Sequence, residues 1–254
     1  MGGPKKRRKK MLPPDGAERF DAPVEIQKCG HPISALSTDA YGSMVSIIVG
    51  NEVSKRTFQV HEGLLKHHSD YFKAALKDDW KKDPSKPIEL PEDDPSVFQE
   101  VFRWLYTGKL YHELSGNGRI PLRTRTICKI YIFGDMRGSP GLCNAAIDLL
   151  FQVFCQEWAY PLPDAQFVYK NTCKGSALRK FFAVLAAETY SWRRLEIASE
   201  EYPKELLVDV LIHLRKSNLP LAPPNVHDVW IQKSRLAVCG KFHAHGALKV
   251  PSEP

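Results

Sequence analysis

Two short apolar runs open the ordered part of the chain. Met44-Val45-Ser46-Ile47-Ile48-Val49 is rich in β-branched residues and stops at Gly50-Asn51, and Thr57-Phe58-Gln59-Val60 follows a polar turn from Glu52 to Arg56. Such runs across a short polar connection predict a β-hairpin. Ile88-Glu89-Leu90, between Pro87 and Pro91, predicts a third and shorter strand. Between the second and third strands a helix pair is expected. Ser69 is placed to cap the second of the pair, with Tyr71, Phe72, Ala75 and Leu76 on one apolar face.

The clearest helical signal runs from Pro95 to Thr107. Asp94 precedes it as N-cap, Pro95 takes the first helical position, and Gly108 stands just past the end. Val97, Phe98, Val101, Phe102, Leu105 and Tyr106 recur one and four residues apart, a wide stripe suited to burial. A loop around Gly116-Asn117-Gly118 leads to helices predicted from Arg123 to Met136 and from Pro140 to Phe154, the second capped by Ser139. Beyond Pro161 and Pro163 no further strand is expected. One helix starts at Ser176 and carries Leu178, Phe181, Phe182 and Leu185. Another opens at Pro203 and carries Leu206, Leu207, Val210, Leu211 and Leu214. A last one follows Asn225, with Val226, Val229 and Trp230 on one side. The pattern is α+β over residues 40–155 and all-α over 156–246. Residues 1–38, with Pro13, Pro14, Pro23 and Pro32, read as a disordered basic leader in which only Val24 to Ile26 could dock. Residues 247–254 read as a flexible tail.

With 43% hydrophobic and 26% charged residues, the composition is that of a globular chain. The longest strictly apolar run, Phe181 to Ala187, falls far short of the roughly twenty residues that cross a bilayer, so no membrane partner is expected. The net charge of +7 belongs mostly to Lys5, Lys6, Arg7, Arg8, Lys9 and Lys10; the other 30 basic residues nearly balance 29 acidic ones. A nearly neutral body offers no broad face for nucleic acid, and only the basic arm keeps a nucleic-acid-associated regulator as an alternative. The arm resembles a one-part nuclear localisation signal, which implies an import carrier as partner and a nuclear, or nuclear and cytoplasmic, location. Six cysteines occur without a Cys-x-x-Cys pair, which predicts reduced thiols, several of them buried.

Phe58-Gln59-Val60-His61, Leu65 and Ser69-Asp70-Tyr71-Phe72, followed by Leu90-Pro91-Glu92-Asp93-Asp94-Pro95, Phe98 and Trp104-Leu105-Tyr106-Thr107-Gly108, resemble the BTB/POZ domain. Tyr131 to Leu142 resembles its next helix and turn. The resemblance implies a small three-stranded sheet flanked by a cluster of helices, and a non-enzymatic module that holds protein partners and commonly pairs with itself. On that basis Tyr71, Phe72, Phe98, Phe102 and Trp104 are candidates for core or interface. Phe98-Gln99-Glu100, an apolar residue followed two positions later by Glu, resembles the motif by which BTB adaptors engage a cullin ubiquitin-ligase scaffold; a substrate-adaptor role is thus an alternative. Pro23, Gly30 and Pro32 speak against a regular strand ahead of the domain. His61 is expected to hydrogen-bond at a strand–helix junction, and Glu92, Asp93 and Asp94 to serve a helix N-terminus. No catalytic residue and no cofactor is expected.

Tyr169-x-Asn171-Thr172-x-x-Gly175-Ser176-x-Leu178-Arg179 and Cys239-x-x-x-His243-x-His245 resemble the region that follows the BTB domain in many fungal proteins. Cys239, His243 and His245 carry donors suited to zinc, but they number three with no evident fourth nearby. A docked, irregular C-terminal tail without metal is therefore the expectation.

Overall fold

The computed structural model describes residues 22–31, 34–77, 86–192, 195–197, 199–218 and 227–245. β1 (Met44–Val49) and β2 (Arg56–His61) form the expected hairpin, antiparallel with Val45 opposite Val60 and Ile47 opposite Phe58. β3 (Ile88–Leu90) joins the other edge of β1 in parallel, giving the order β2-β1-β3. Val45, Ile47 and Val49 alternate inward along β1 with Phe58 and Val60 beside them, so one sheet face is committed to the core.

After β2 come α1 (Glu62–His68) and α2 (Asp70–Ala75). Ser69 between them accepts the Phe72 N–H (3.2 Å) and donates to the Arg137 carbonyl (2.6 Å), so one hydroxyl caps α2 and anchors it elsewhere in the chain. α3 (Pro95–Thr107) ends at Gly108, whose φ of 68° is the left-handed conformation that favours glycine. Asp94 accepts the Ser96 N–H (3.0 Å) at its start and pairs with Lys129 (2.9 Å) on α4 (Thr124–Met136). The predicted stripe of α3 is rotated slightly. Val97, Phe98, Val101, Trp104 and Leu105 are buried, whereas Phe102 and Tyr106 are only half-covered.

α5 (Pro140–Glu157) is three residues longer than predicted, and the Ser139 side chain makes no capping bond. Leu142, Cys143, Ala146, Ile147, Leu149, Leu150, Phe151, Val153, Phe154 and Cys155 are all buried. A helix covered on so many sides lies inside the molecule rather than on its surface. Asn144, Asp148, Gln152 and Gln156 fall every fourth residue, and between them they hold three pieces of chain. The Asn144 amide pairs twice with the Ala244 backbone (2.9 and 3.0 Å), and Asp148 meets His243 (2.8 Å). Gln152 donates to the Val24 carbonyl (3.0 Å), and Gln156 bonds both Ile120 N–H (3.1 Å) and Gly118 O (3.0 Å).

α6 (Leu162–Asn171) is a helix where the sequence suggested none; Pro163 occupies its first turn, where a missing N–H costs nothing. α7 (Ala177–Thr189) and α8 (Lys204–Ser217) pack beside it. Arg179 folds back onto the end of α6. Its guanidinium donates to the Tyr169 and Thr172 carbonyls, its Nε donates to Thr172 Oγ1 (3.1 Å), and it lies 4.8 Å over the Tyr169 ring. The Tyr169 hydroxyl donates to Asp209 on α8 (2.9 Å). The Tyr169-to-Arg179 motif is thus a fastening of three helices. α9 (His227–Ser234) and α10 (Val238–Phe242) follow; the expected start of α9 after Asn225 lies outside the described residues. Its buried side is Ile231 and Ser234 with Trp230 half-covered, while Val229, predicted to share that side, is exposed. Glu188 on α7 gathers Trp230 Nε1 (2.8 Å), His213 Nε2 (3.1 Å) and Lys241 Nζ (3.5 Å).

Within the leader, a docked segment near Val24 to Ile26 was the one exception expected, and the docking extends beyond it. Val24 is 8% exposed, and the Gln27 N–H donates to the Arg235 carbonyl (3.1 Å). Residues 22–31 are therefore docked without forming a strand, as Pro23 and Gly30 suggested. Residues 1–21, with the whole basic run, and residues 246–254 lie outside the described residues.

Ser96 and then Lys129 hold the Asp94 carboxyl down at about 2. A carboxylate lowered in the folded state stabilises above its ordinary value of 3.8 and loses that contribution as pH falls through the lowered one. Asp94 is 40% exposed, so solvent limits the effect. Asp94→Ala is expected to cost about 1 kcal/mol at pH 7 in urea unfolding. That difference should shrink below pH of about 4 and vanish near about 2; a pH-independent difference would show that the carboxylate is not the cap.

Candidate interaction surface and a thiol–imidazole cluster

The six residues proposed for partner contact divide sharply. Phe98 is fully buried between Phe58 (ring centroids 4.8 Å) and Phe133 (5.7 Å). Phe72 and Trp104 are buried too, Trp104 with the His68 ring 4.8 Å away. These three are core. Phe102 is half-covered beside Tyr106 (5.0 Å), and Glu100 is half-covered and paired with Arg103 (3.1 Å). Tyr71 is exposed, with the Arg137 guanidinium 5.7 Å over its ring. The apolar-x-Glu pair thus presents no apolar knob, since Phe98 points inward. Lys5, Lys6, Arg7, Arg8, Lys9 and Lys10 lie outside the described residues.

His61 sits where β2 meets α1. Its backbone N–H donates to the Tyr106 hydroxyl (3.1 Å), leaving that O–H to donate to His61 Nδ1 (2.9 Å). This is junction bonding, as expected. Cys128, Cys143 and Cys155 are buried, and burial pushes the Cys143 and Cys155 thiols up to about 12. They are apolar filling with no thiolate character near neutrality.

An apolar stripe went unread in the sequence. On α8, Leu206, Val210 and Leu214 face inward, whereas Val208, Leu211 and Ile212 form an exposed ridge. Leu211 was expected among the inward residues and is 58% exposed. The signal was available: seven apolar residues on this one helix exceed what one buried face uses.

Beside Asn144 and Asp148 in the first half of α5 the fold gathers Cys29, Cys239, His243 and His245, with one donor atom from each lying within 4.8 Å of the others. Cys29 and Cys239 are 210 residues apart, and their sulfurs are 3.4 Å apart. His245 Nε2 is 3.3 Å from Cys239 Sγ and 3.8 Å from Cys29 Sγ. The His31 N–H donates to Cys29 Sγ (3.3 Å). Burial works against the Cys29 thiolate, but His243 and then the His31 N–H outweigh it and lower that thiol; burial and the neighbouring Cys29 raise Cys239. The expectation that no fourth donor stands near Cys239, His243 and His245 is therefore corrected. Cys29 is supplied by a segment remote in sequence, and no local spacing could have announced it.

A short mixed sheet, a helix pair behind its hairpin and a central capped helix define the core of an interaction module. Residues 43–120 match the family model of the BTB/POZ domain, and the chain carries that domain there. Two mouse proteins are similar. One is "TD and POZ domain-containing protein 3", 25% identical over 175 residues, which covers 68% of this chain and 45% of that protein. The other is "TD and POZ domain-containing protein 5", 32% identical over 60 residues, or 24% of this chain and 18% of that protein. The chain spans less than half the length of either relative.

Phe98→Ala is expected to cost about 3–5 kcal/mol in denaturant unfolding, and Glu100→Ala less than about 1 kcal/mol. Equal and small losses would put Phe98 at the surface instead.

Proposed function

We propose that the chain is a non-enzymatic protein–protein interaction module that associates with a second copy of itself and holds another polypeptide. The observation that carries this reading is the BTB/POZ match over residues 43–120, on a fold whose sheet, helix pair and central helix follow the same order. The family is one of interaction domains. Its binding rests on apolar surface rather than on reacting groups, and the ridge of Val208, Leu211 and Ile212 supports that mode here. His61 and Asp94 are both engaged in holding elements together, in keeping with it. A cullin-docking role finds no support in the inward-facing Phe98.

Sedimentation equilibrium of the full chain tests self-association. One copy weighs 28.8 kDa, and a species of twice that mass is expected at micromolar concentration. A single-copy mass across the micromolar range would remove self-pairing.

A further inference from the structure

We propose that Cys29, Cys239, His243 and His245 bind one zinc ion, and that this ion pins the N-terminal segment to the C-terminal end of the chain. The proposal goes beyond the interaction function and does not depend on it. Four donors converge from three places: Cys29 from the docked leader, Cys239 from α10, and the two histidines from the chain that leaves it. Two thiols and two imidazoles are the donor set that zinc takes in closed, four-coordinate structural sites. Zinc held at about 2.3 Å from sulfur and about 2.0 Å from nitrogen sets tetrahedral edges of about 3.8 Å between sulfurs and about 3.5 Å between sulfur and nitrogen. The separations here are 3.4 Å for the sulfurs and 3.3 and 3.8 Å from His245 Nε2 to the two cysteines. Small adjustments of the side chains would close the ion.

His243 supplies the strongest observation. Its side chain is only 3% exposed, and its Nε2 is 2.8 Å from Asp148 Oδ1. A carboxylate accepts only, so Nε2 carries the proton and Nδ1 keeps its lone pair. Nδ1 is buried and pairs with no nitrogen or oxygen, so the Cys29 thiol is the neighbour left to it. A thiol is a weak donor for such an acceptor, and a metal ion between the two supplies what it lacks. A carboxylate behind the far nitrogen is also the arrangement that orients metal-bound histidines. Next along the chain, Asn144 grips the Ala244 backbone at both its N–H and its C=O, and His243 is extended. In extended chain, residues two apart share a face, so His243 and His245 are held toward the same point. The His31 N–H on Cys29 Sγ stabilises charge on that sulfur.

The rival occupant is a disulfide between Cys29 and Cys239, which would need their sulfurs to close to about 2.05 Å and would leave His243 Nδ1 unmet. The test uses the full chain, purified without chelator, without added reductant and without a polyhistidine tag. Elemental analysis is expected to give about one zinc per chain. After stripping, cobalt(II) is expected to produce the intense visible bands of a tetrahedral thiolate site, saturating at one equivalent. Cys29→Ser should lose the zinc, and Cys173→Ser, which alters an exposed thiol elsewhere, should keep it. Where Cys29→Ser does not fold, His245→Gln at the exposed rim takes its place. Asp148→Asn should weaken binding about tenfold. Folded chain with no stoichiometric zinc and no tetrahedral cobalt spectrum overturns the proposal. An intact mass two hydrogens short, the mark of a Cys29–Cys239 disulfide, overturns it as well.

Discussion

The burial of α5 on nearly all sides governs this molecule. Ten of its eighteen residues are covered, from Leu142 to Cys155, and a helix with that composition is stable only if other elements enclose it. α4 and α1 cover it from the BTB side, α10 from the extension, and Trp230 of α9 stacks on Phe151 at 5.8 Å. The buried apolar side chains, from Val24 to Phe242, accordingly form one continuous core. The BTB/POZ match over residues 43–120 and the helices that follow it are not beads joined by a linker. α5 packs against elements of both.

The same helix also arranges the two ends of the described chain. An all-apolar α5 could be enclosed in several registers, because hydrophobic contact has little directionality. Asn144, Asp148, Gln152 and Gln156 remove that freedom. Spaced by four, they make one slowly winding polar line, and between them they meet backbone or ring groups of three segments. Two of those segments, around Val24 and around His243–Ala244, belong to the two ends of the described chain. The convergence of Cys29 with Cys239, His243 and His245 is thus a consequence of how α5 is gripped, and segments more than two hundred residues apart meet there.

Much of this was readable from residue order. β1, β2 and β3 followed from β-branched runs between turn residues, and α3 from Asp94, Pro95 and Gly108, because local chemistry decides those elements. What escaped notice depended on distant contacts. α6 was missed because Pro161 and Pro163 read as breakers when Pro163 opens a helix. Phe98 could be assigned to core or interface only once Phe58 and Phe133 were seen on either side of it. Ser139 has the right residue type for a cap, yet its hydroxyl makes no such bond. Val24 and Cys29 lie in a Pro-rich stretch whose composition suggests looseness. Their order comes from Gln152, Arg235 and the C-terminal segment, more than 120 residues away.

If α5 joins both halves into one folding unit, its enclosure cannot be undone on one side alone. Native-state hydrogen exchange across a denaturant series measures this directly. The slowest amides of α3 and α4 and those of α7 should merge onto one global opening, with the same free energy and the same denaturant dependence. A distinct opening of lower free energy, releasing α6 to α8 while α3 and α4 stay protected, would contradict the shared core.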